Sequence, residues 1–393
     1  MPLSDEYFYN INKFTKTINV IAGMPLFVEK TNKYYQYYGY IVDVFLFFGF
    51  ITTTSCVFYS GEIFDKLKSI AVGASSLSGL LNSLYQRYNY KRNQHIMNDL
   101  QCISVNFQND QPIECFIKKM KSDIWLTNKL LSFVVIIAAL TIPLFLFWDI
   151  IVPQDGITVS HTVVQMEIPF IDASDVLEYW LKSILLTLIV LYANIKIVAI
   201  HCFYVGALSQ IKCGFIHLRK NLSYDIACKN DLSLFYGSIK SHQNIIRVGN
   251  NICNTYSPVF SFFLAFFIIE NISIMVMIIC IPNTPLMMKY LPMSHLLLGL
   301  TTLYISCNVG SSLEEESTKI VKEPFGICIL NPSILTIKQN LLLLILGSYT
   351  PIRCKCIFQP TVWMNNATYA SFFKFSLSVL LATKKIVNKG IVD

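Results

Sequence analysis

Apolar residues in this chain gather into runs close to the ~20 residues that cross a hydrocarbon core, instead of recurring at amphipathic or alternating spacing. Seven such runs are predicted as spanning helices, at about 38–59, 68–86, 129–149, 182–208, 257–281, 289–311 and 362–383. An eighth apolar run, Asn340–Tyr349, is shorter and is bounded by Lys338, Gln339 and Pro351, which suits a buried or re-entrant helix. The prediction is an all-α membrane protein with a single domain over residues 1–393, in which 1–37 form a polar lead-in and 312–361 an inner anchor segment. The inner loops are longer than ordinary helix connections and are expected to extend the bundle as helices into the cytosol.

Basic residues set the orientation, because Lys and Arg beside spans are retained on the cytoplasmic side. They crowd the N-terminal region and the 87–128, 209–256 and 312–361 loops, whereas the 150–181 loop has no Lys or Arg and carries Asp155, Glu167, Asp172, Asp175 and Glu178. This places the N-terminus in the cytoplasm and, after seven crossings, the C-terminus outside. Lys384, Lys385 and Lys389 vote the other way, but early spans dominate orientation. The topology is the inverse of a G-protein-coupled receptor, and the outer loop lacks the cysteine such a receptor uses for its bridge.

Composition agrees with lipid as the solvent: 54% hydrophobic and 14% charged residues with mean hydropathy +0.51, against a soluble average of roughly 25% charged. The net charge of +7 lies in topogenic loops without an aromatic-studded basic face, so nucleic acid is not an expected partner. Of twelve cysteines, Cys102, Cys115, Cys213, Cys228, Cys354 and Cys356 fall in inner loops, which predicts reduced structural thiols. Cys354-Lys-Cys356 has no second pair or His at zinc spacing, and no metal is assigned. Phosphate loops, zinc-protease helices and nucleophile elbows are missing, so no enzyme, catalytic residue or cofactor is predicted. Asn221-Leu-Ser and Asn366-Ala-Thr fit the glycosylation pattern but lie in an inner loop and at a span start.

Ionisable groups inside spans are costly in lipid and face protein or water. They are Asp43, Lys196, Glu270 and Lys374. Lys374 stands mid-way along the last span near Ser371, Ser376 and Ser378, a pattern suited to lining water. A small apolar ligand needs a mostly apolar lining with few hydroxyls. The outer halves of four spans offer one: Ala74, Leu77 and Ser78; Ile137, Thr141, Phe145 and Trp148; Thr187, Leu191 and Tyr192; Leu297, Thr301 and Tyr304.

From Leu296 onward the sequence resembles the insect odorant receptor family. Cys307-Asn-Val-Gly310-Ser-Ser-Leu-Glu314-Glu-Glu316-Ser317 is similar to the family's end of the sixth span, and Leu341 to Pro351, Cys356-Ile-Phe358, Asn365 and Phe372-Phe-Lys374-Phe-Ser376-Leu-Ser378 resemble its closing segment. Thr350 stands where the family has Lys, Leu377 where it has Tyr, and Phe325 to Ile329 lack its Trp-Tyr pair. The resemblance implies a volatile-gated nonselective cation channel, a tetramer with the shared co-receptor, in the plasma membrane of olfactory sensory neurons. It implies an odorant pocket among spans two, three, four and six, and a pore lined by Lys374, Ser378, Ala382 and Ile386, with the constriction near the last two. Ala382 is smaller than the family's usual apolar residue there, and the short second inner loop marks a ligand-tuned subunit, not the co-receptor. A gustatory receptor shares the architecture, but its Thr-Tyr…Gln-Phe ending is replaced here by Phe375-Ser-Leu-Ser-Val-Leu-Leu. A transporter is opposed by the lack of paired broken helices in two halves.

Overall fold

The computed structural model describes residues 15–24, 33–59, 63–106, 129, 176–228, 232–280, 286–330 and 350–388. The third expected span beyond Lys129, the outer loop up to Asp175 and the Asn340–Tyr349 run lie outside the described residues. Eight helices are described: α1 over 15–21, α2 Lys33–Tyr59, α3 Ile63–Tyr88, α4 Tyr90–Asn106, α5 Val176–Cys228, α6 Leu232–Cys280, α7 Leu286–Leu330 and α8 Asn366–Asn388. α2, α5, α6 and α7 each contain a stretch long and apolar enough to cross a membrane, so this is a multi-pass membrane protein. The expected helix extensions are present, since α5, α6 and α7 run for 53, 49 and 45 residues, well past the predicted spans.

Polarity along the helices is turned inside out. On α2 the buried stripe is Gly39, Val42, Asp43, Leu46, Gly49, Thr52, Thr53 and Cys56, while Tyr37, Ile41, Val44, Phe47 and Ile51 are exposed. Small and polar residues lie against neighbouring helices and large apolar ones face outward, which is stable only where the surroundings are lipid. Thr52, Thr53 and Ser55 return their hydroxyls to carbonyls three or four residues back, so they leave no free donor in that environment. α3 follows the same logic more strongly. It buries Ser69, Ser75, Ser76, Ser78, Asn82, Ser83 and Gln86, and so reads as less hydrophobic than its neighbours while packing beside them.

α5 is the axis. In its apolar stretch 83% is buried, against 39–50% for α2, α6 and α7. Close approach to it uses glycine: a methyl group at Gly49 of α2 would stand 2.6 Å from Ile189, and one at Gly79 of α3 would stand 3.3 Å from the Ala193 backbone. The core runs along α5, α6 and α7, with Tyr204 stacked on Tyr256 at 4.5 Å between ring centroids and Phe263, Phe267 and Phe372 continuing the stack toward α8.

Between α7 and α8 the chain makes a tight hairpin, where the sequence-based span had been placed from 362. Cys356 N donates to Val362 O at 2.7 Å and Met364 N to Cys354 O at 2.8 Å, around an isolated Lys355–Trp363 bridge. The helix begins at Asn366, with Asn365 Oδ1 accepting from Thr368 N at 2.8 Å as an N-cap. Cys354 and Cys356 are both buried, the former 3.7 Å from Cys253 O, so their thiols are core groups of this hairpin.

Gly310 of α7 marks the tightest backbone contact, because a Cβ there would collide with the Met364 carbonyl oxygen, whereas nothing lies within 4 Å of a Cβ built at Gly206. Gly310→Ala is therefore expected to lose about 1–3 kcal/mol to overpacking, and Gly206→Ala to be neutral or gain up to about 1 kcal/mol of helix propensity. Thermal unfolding of the detergent-purified protein checks this; equal melting temperatures for the two variants would contradict it.

Candidate ligand site and terminal helix

Where α3, α6 and α7 meet in the half assigned to the outside, Ala71, Ile274 and Met277 form a buried apolar cluster flanked by Leu67, Ile278 and Leu296. One residue before Leu296, His295 places Nδ1 3.5 Å from Glu270 Oε1, and Asn194 of α5 sets its amide nitrogen 3.5 Å from the same ring. Four helices therefore bring a packed apolar cluster close to one carboxylate, one imidazole and one amide. A thioether, branched alkyls and a few convergent polar groups are what a small-molecule site requires.

The residues singled out from sequence distribute unevenly around this junction. Ala74 and Ser78 of α3 are buried and Leu77 is half-buried. The Ser78 hydroxyl, like those of Ser69 and Ser76 and both amide atoms of Asn82, has no hydrogen-bond partner among the described residues. Thr187, Leu191 and Tyr192 of α5 are half-buried, and the Tyr192 hydroxyl lies 3.4 Å from that of Tyr38. On α7 the candidates occupy the outward face: Leu297 and Tyr304 are 51% and 49% exposed, Thr301 is half-buried, and Tyr304 packs edge-on against Tyr369 of α8. Ile137, Thr141, Phe145 and Trp148 fall outside the described residues.

Below the junction lies a charged group that single-span reasoning left as separate residues. Asp43 of α2 takes Arg87 Nε of α3 at 2.7 Å on one carboxylate oxygen and the Lys196 ammonium of α5 on the other. Lys196 is fully buried and also donates to Ser83 Oγ at 3.0 Å. Arg87 stacks over the Tyr40 ring and donates to Gly23 O at 3.2 Å, at the end of the α1 segment. Gly23 takes φ of +69°, a left-handed geometry that suits glycine, and its neighbours are held by the Tyr35 and Tyr38 hydroxyls on Met24 O and Ile21 O. A second buried network follows toward the inner side: Gln86, Asn93 and Tyr204 bond one another, while Tyr256, His201 and Ser306 share contacts of 2.5–3.2 Å.

α8 touches the bundle along one narrow side. Phe372 and Ser376 are buried, Ser376 accepting from Asn271 Nδ2 at 3.1 Å, while Phe373, Phe375, Leu377 and Leu381 are exposed. Lys374, Ser378 and Ala382 also lie on exposed faces, and Ser378 Oγ returns to Lys374 O at 2.9 Å. The helix includes position 386, but the Ile386 side chain is outside the described set.

No family model and no curated protein sequence matches the chain. Solved structures do match, and two of them cover nearly its whole length. The insect olfactory receptor OR5 from Machilis hrabei in complex with eugenol superposes with a TM-score of 0.82 at 15% identity, covering 96% of this chain and 99% of that one. A second structure of the same receptor gives 0.77 at 14% identity, covering 95% and 98%. The chain shares the fold of this receptor. At that identity the shared quantity is backbone arrangement, and the side chains described above belong to this chain alone.

Sequence reasoning missed Arg87, which had been counted as a topogenic loop charge, and His295, which lacked any local motif. The available signal was that Asp43 and Arg87 are both expected near the inner ends of two consecutive spans and Lys196 within a third, where unpaired charge is costly. Asp43→Asn leaves the buried Lys196 and the Arg87 guanidinium without their shared counter-ion, an expected loss of about 3–5 kcal/mol. Adding Lys196→Met to that variant should recover part of the loss. Melting temperature and surface expression of the two variants test the pairing; a double variant no better than the single one would contradict it.

Proposed function

We propose that this chain is an odorant receptor, a ligand-tuned subunit of a volatile-gated nonselective cation channel. Four subunits, this chain together with the co-receptor, surround an axis lined by α8 in the plasma membrane of olfactory sensory neurons. The observation that carries the reading is the whole-length likeness to an olfactory receptor, with both chains covered almost end to end. That receptor was solved with eugenol, a small aromatic volatile, which supports a ligand of similar size for the junction of α3, α5, α6 and α7. The orientation drawn from the basic loops and the motif Glu314-Glu-Glu316-Ser317 support the same assignment.

The pore part of the proposal rests on α8. A helix that, among its described side chains, fully buries Phe372 and Ser376 while exposing Lys374, Ser378 and Ala382 beside Phe373, Phe375 and Leu381 is suited to further helices of its kind and to water between them. Ligand opens such a pore by binding the open arrangement more tightly than the closed one, since only differential affinity moves an equilibrium. Ala382 offers little bulk to a closing ring, so the partner subunits supply most of the barrier.

Whole-cell current during exposure to a volatile panel, with G-protein signalling blocked and with or without the insect co-receptor, tests the function. A fast, block-resistant inward cation current that needs the co-receptor is the expected result; a response abolished by the block would overturn it. Ala382→Trp should lower single-channel conductance or shift resting leak, and unaltered unitary currents would remove this position from the pore.

A further inference from the structure

The five tyrosines that open α2 divide by face. Tyr35 and Tyr38 turn inward and donate their hydroxyls to Met24 O and Ile21 O, while Tyr34, Tyr37 and Tyr40 turn outward at 89%, 64% and 53% exposure. Helical spacing puts the outward three on one stripe, with Lys33 at its start and Ile41, Val44, Phe47 and Ile51 following, all exposed. From the N-terminal end of α2 the stripe is a cation, then phenols, then hydrocarbon. Its apolar part rises about 15 Å from Ile41 to Ile51, half of a ~30 Å hydrocarbon core and so the depth of one leaflet.

α3 and α4 repeat the same order in the opposite chain direction. Leu84, Tyr88 and Lys91 fall on one exposed ridge, which stays continuous because Asn89 N donates to Tyr85 O at 3.0 Å and Asn93 N to Asn89 O at 2.9 Å across the junction. Arg87 sets the two ridges at one depth, with its guanidinium 4.5 Å over the Tyr40 ring and its Nε on Asp43. Past that contact Lys33 lies two turns along α2 and Lys91 one turn along the α3–α4 line, about 10 and 5 Å by helix rise. Both ammonium groups therefore stand beyond the hydrocarbon stripe, at the end where the basic loops place the cytoplasm.

Charge on this face favours an anion. Lys33, Lys91 and the neighbouring Arg92 are exposed and enter no ion pair among the described residues, and Asp99 of α4 faces Arg247 at 3.8 Å. Stretches 1–40 and 87–128 together hold ten Lys and Arg against seven Asp and Glu, so their own acids do not cancel the excess. Behind Tyr40 the Asp43 group adds two cations on one carboxylate. A cytoplasmic leaflet presents anionic headgroups at this depth, and its boundary is where tyrosine rings settle.

With the orientation taken from the reading above, we propose that Lys33 and Lys91, flanked by Tyr37 and Tyr88, bind the headgroup of one phosphatidylserine of the cytoplasmic leaflet, its chains lying along the stripe that begins at Ile41. The lipid bridges α2 to the α3–α4 junction beside the Arg87–Asp43 contact. Its phosphate and its carboxylate give each ammonium a charge-assisted partner, whereas phosphatidylcholine carries one anionic group and no net charge.

Full-length protein purified in neutral detergent is titrated with dioctanoyl phosphatidylserine, dioctanoyl phosphatidylcholine and glycerophosphoserine, the headgroup without chains, and thermal unfolding is read against concentration. Half-maximal stabilisation by the serine lipid is expected at a concentration roughly tenfold or more below that of the choline lipid, at about fivefold per lysine beside an anionic headgroup. Glycerophosphoserine should have no effect at those concentrations. Lys33→Gln with Lys91→Gln should erase the preference and Lys33→Arg with Lys91→Arg should keep it. Lys240→Gln with Lys355→Gln, an equal loss of charge on α6 and the hairpin, should leave it in place. Equal potency of the two lipids on the wild-type protein, a preference that survives the first Gln pair, or one lost equally with the distant pair overturns the site. Stabilisation by glycerophosphoserine at the lipid's concentration overturns the lipid in favour of a soluble anion. The wild-type ranking decides the matter even if a variant does not fold. Because unfolding is read without current, failure here leaves the channel function standing, and a chain that never conducts leaves the lipid site standing.

Discussion

Three charges held inside a lipid-facing bundle cannot be separated without leaving at least one of them unpaired, and Asp43, Arg87 and Lys196 come from three different helices. That constraint ties α2, α3 and α5 to one depth and one rotation. It reaches the N-terminal segment as well, because Arg87 caps the carbonyl of Gly23 while Gly39 leaves the space through which the guanidinium passes. A bundle held by hydrophobicity alone could slide, since lipid tails are as apolar as leucine. Here sliding α2 by one turn would strand a fully buried ammonium.

Much of this arrangement could be read from sequence, for physical reasons that can be named. Long apolar runs report burial in lipid directly, so the helical class and the presence of long helices running past the spans were accessible. What could not be read is pairing across distance. Asp43 and Lys196 stand 153 positions apart and His201 and Ser306 stand 105 apart, and no local pattern encodes either contact. The α7 candidates illustrate the same limit: periodicity put Leu297, Thr301 and Tyr304 on one face, but only the packing of Tyr304 on Tyr369 and of Leu298 and Leu303 in the core shows that this face looks away from α5 and α6. The start of the last helix moved from 362 to Asn366 because backbone pairing with Cys354 and Cys356 claims the residues before it.

The motif that carries the family resemblance has a mechanical explanation. Glu314 bonds Arg353 of the hairpin at 2.5–2.7 Å, and that guanidinium lies 4.6 Å over the Trp363 ring. Glu316 faces Arg219 of α5 at 3.1 Å and Lys319 at 3.0 Å, while Glu315 is left for the exposed Lys319 pair. Two of the three acids thus join the inner part of α7 to two other elements, and Gly310 a turn earlier lets the hairpin backbone come into contact. The pattern of small residue followed by acids is the sequence trace of a joint.

That joint makes α8 a cantilever. The hairpin is clamped to α7 through Gly310, Ser311 and Glu314 and to α6 through Ser261, whose hydroxyl accepts from Ile357 N at 2.7 Å. Beyond it, 23 residues of helix project with side support at Phe372 and Ser376, both within the first half. At 1.5 Å per residue the arm is about 34 Å long, so a rotation of about 5° at the clamp swings its free end by about 3 Å. Any tilt at the clamp is therefore smallest beside α6 and α7 and largest at the far tip, as the length of an arm held near one end requires.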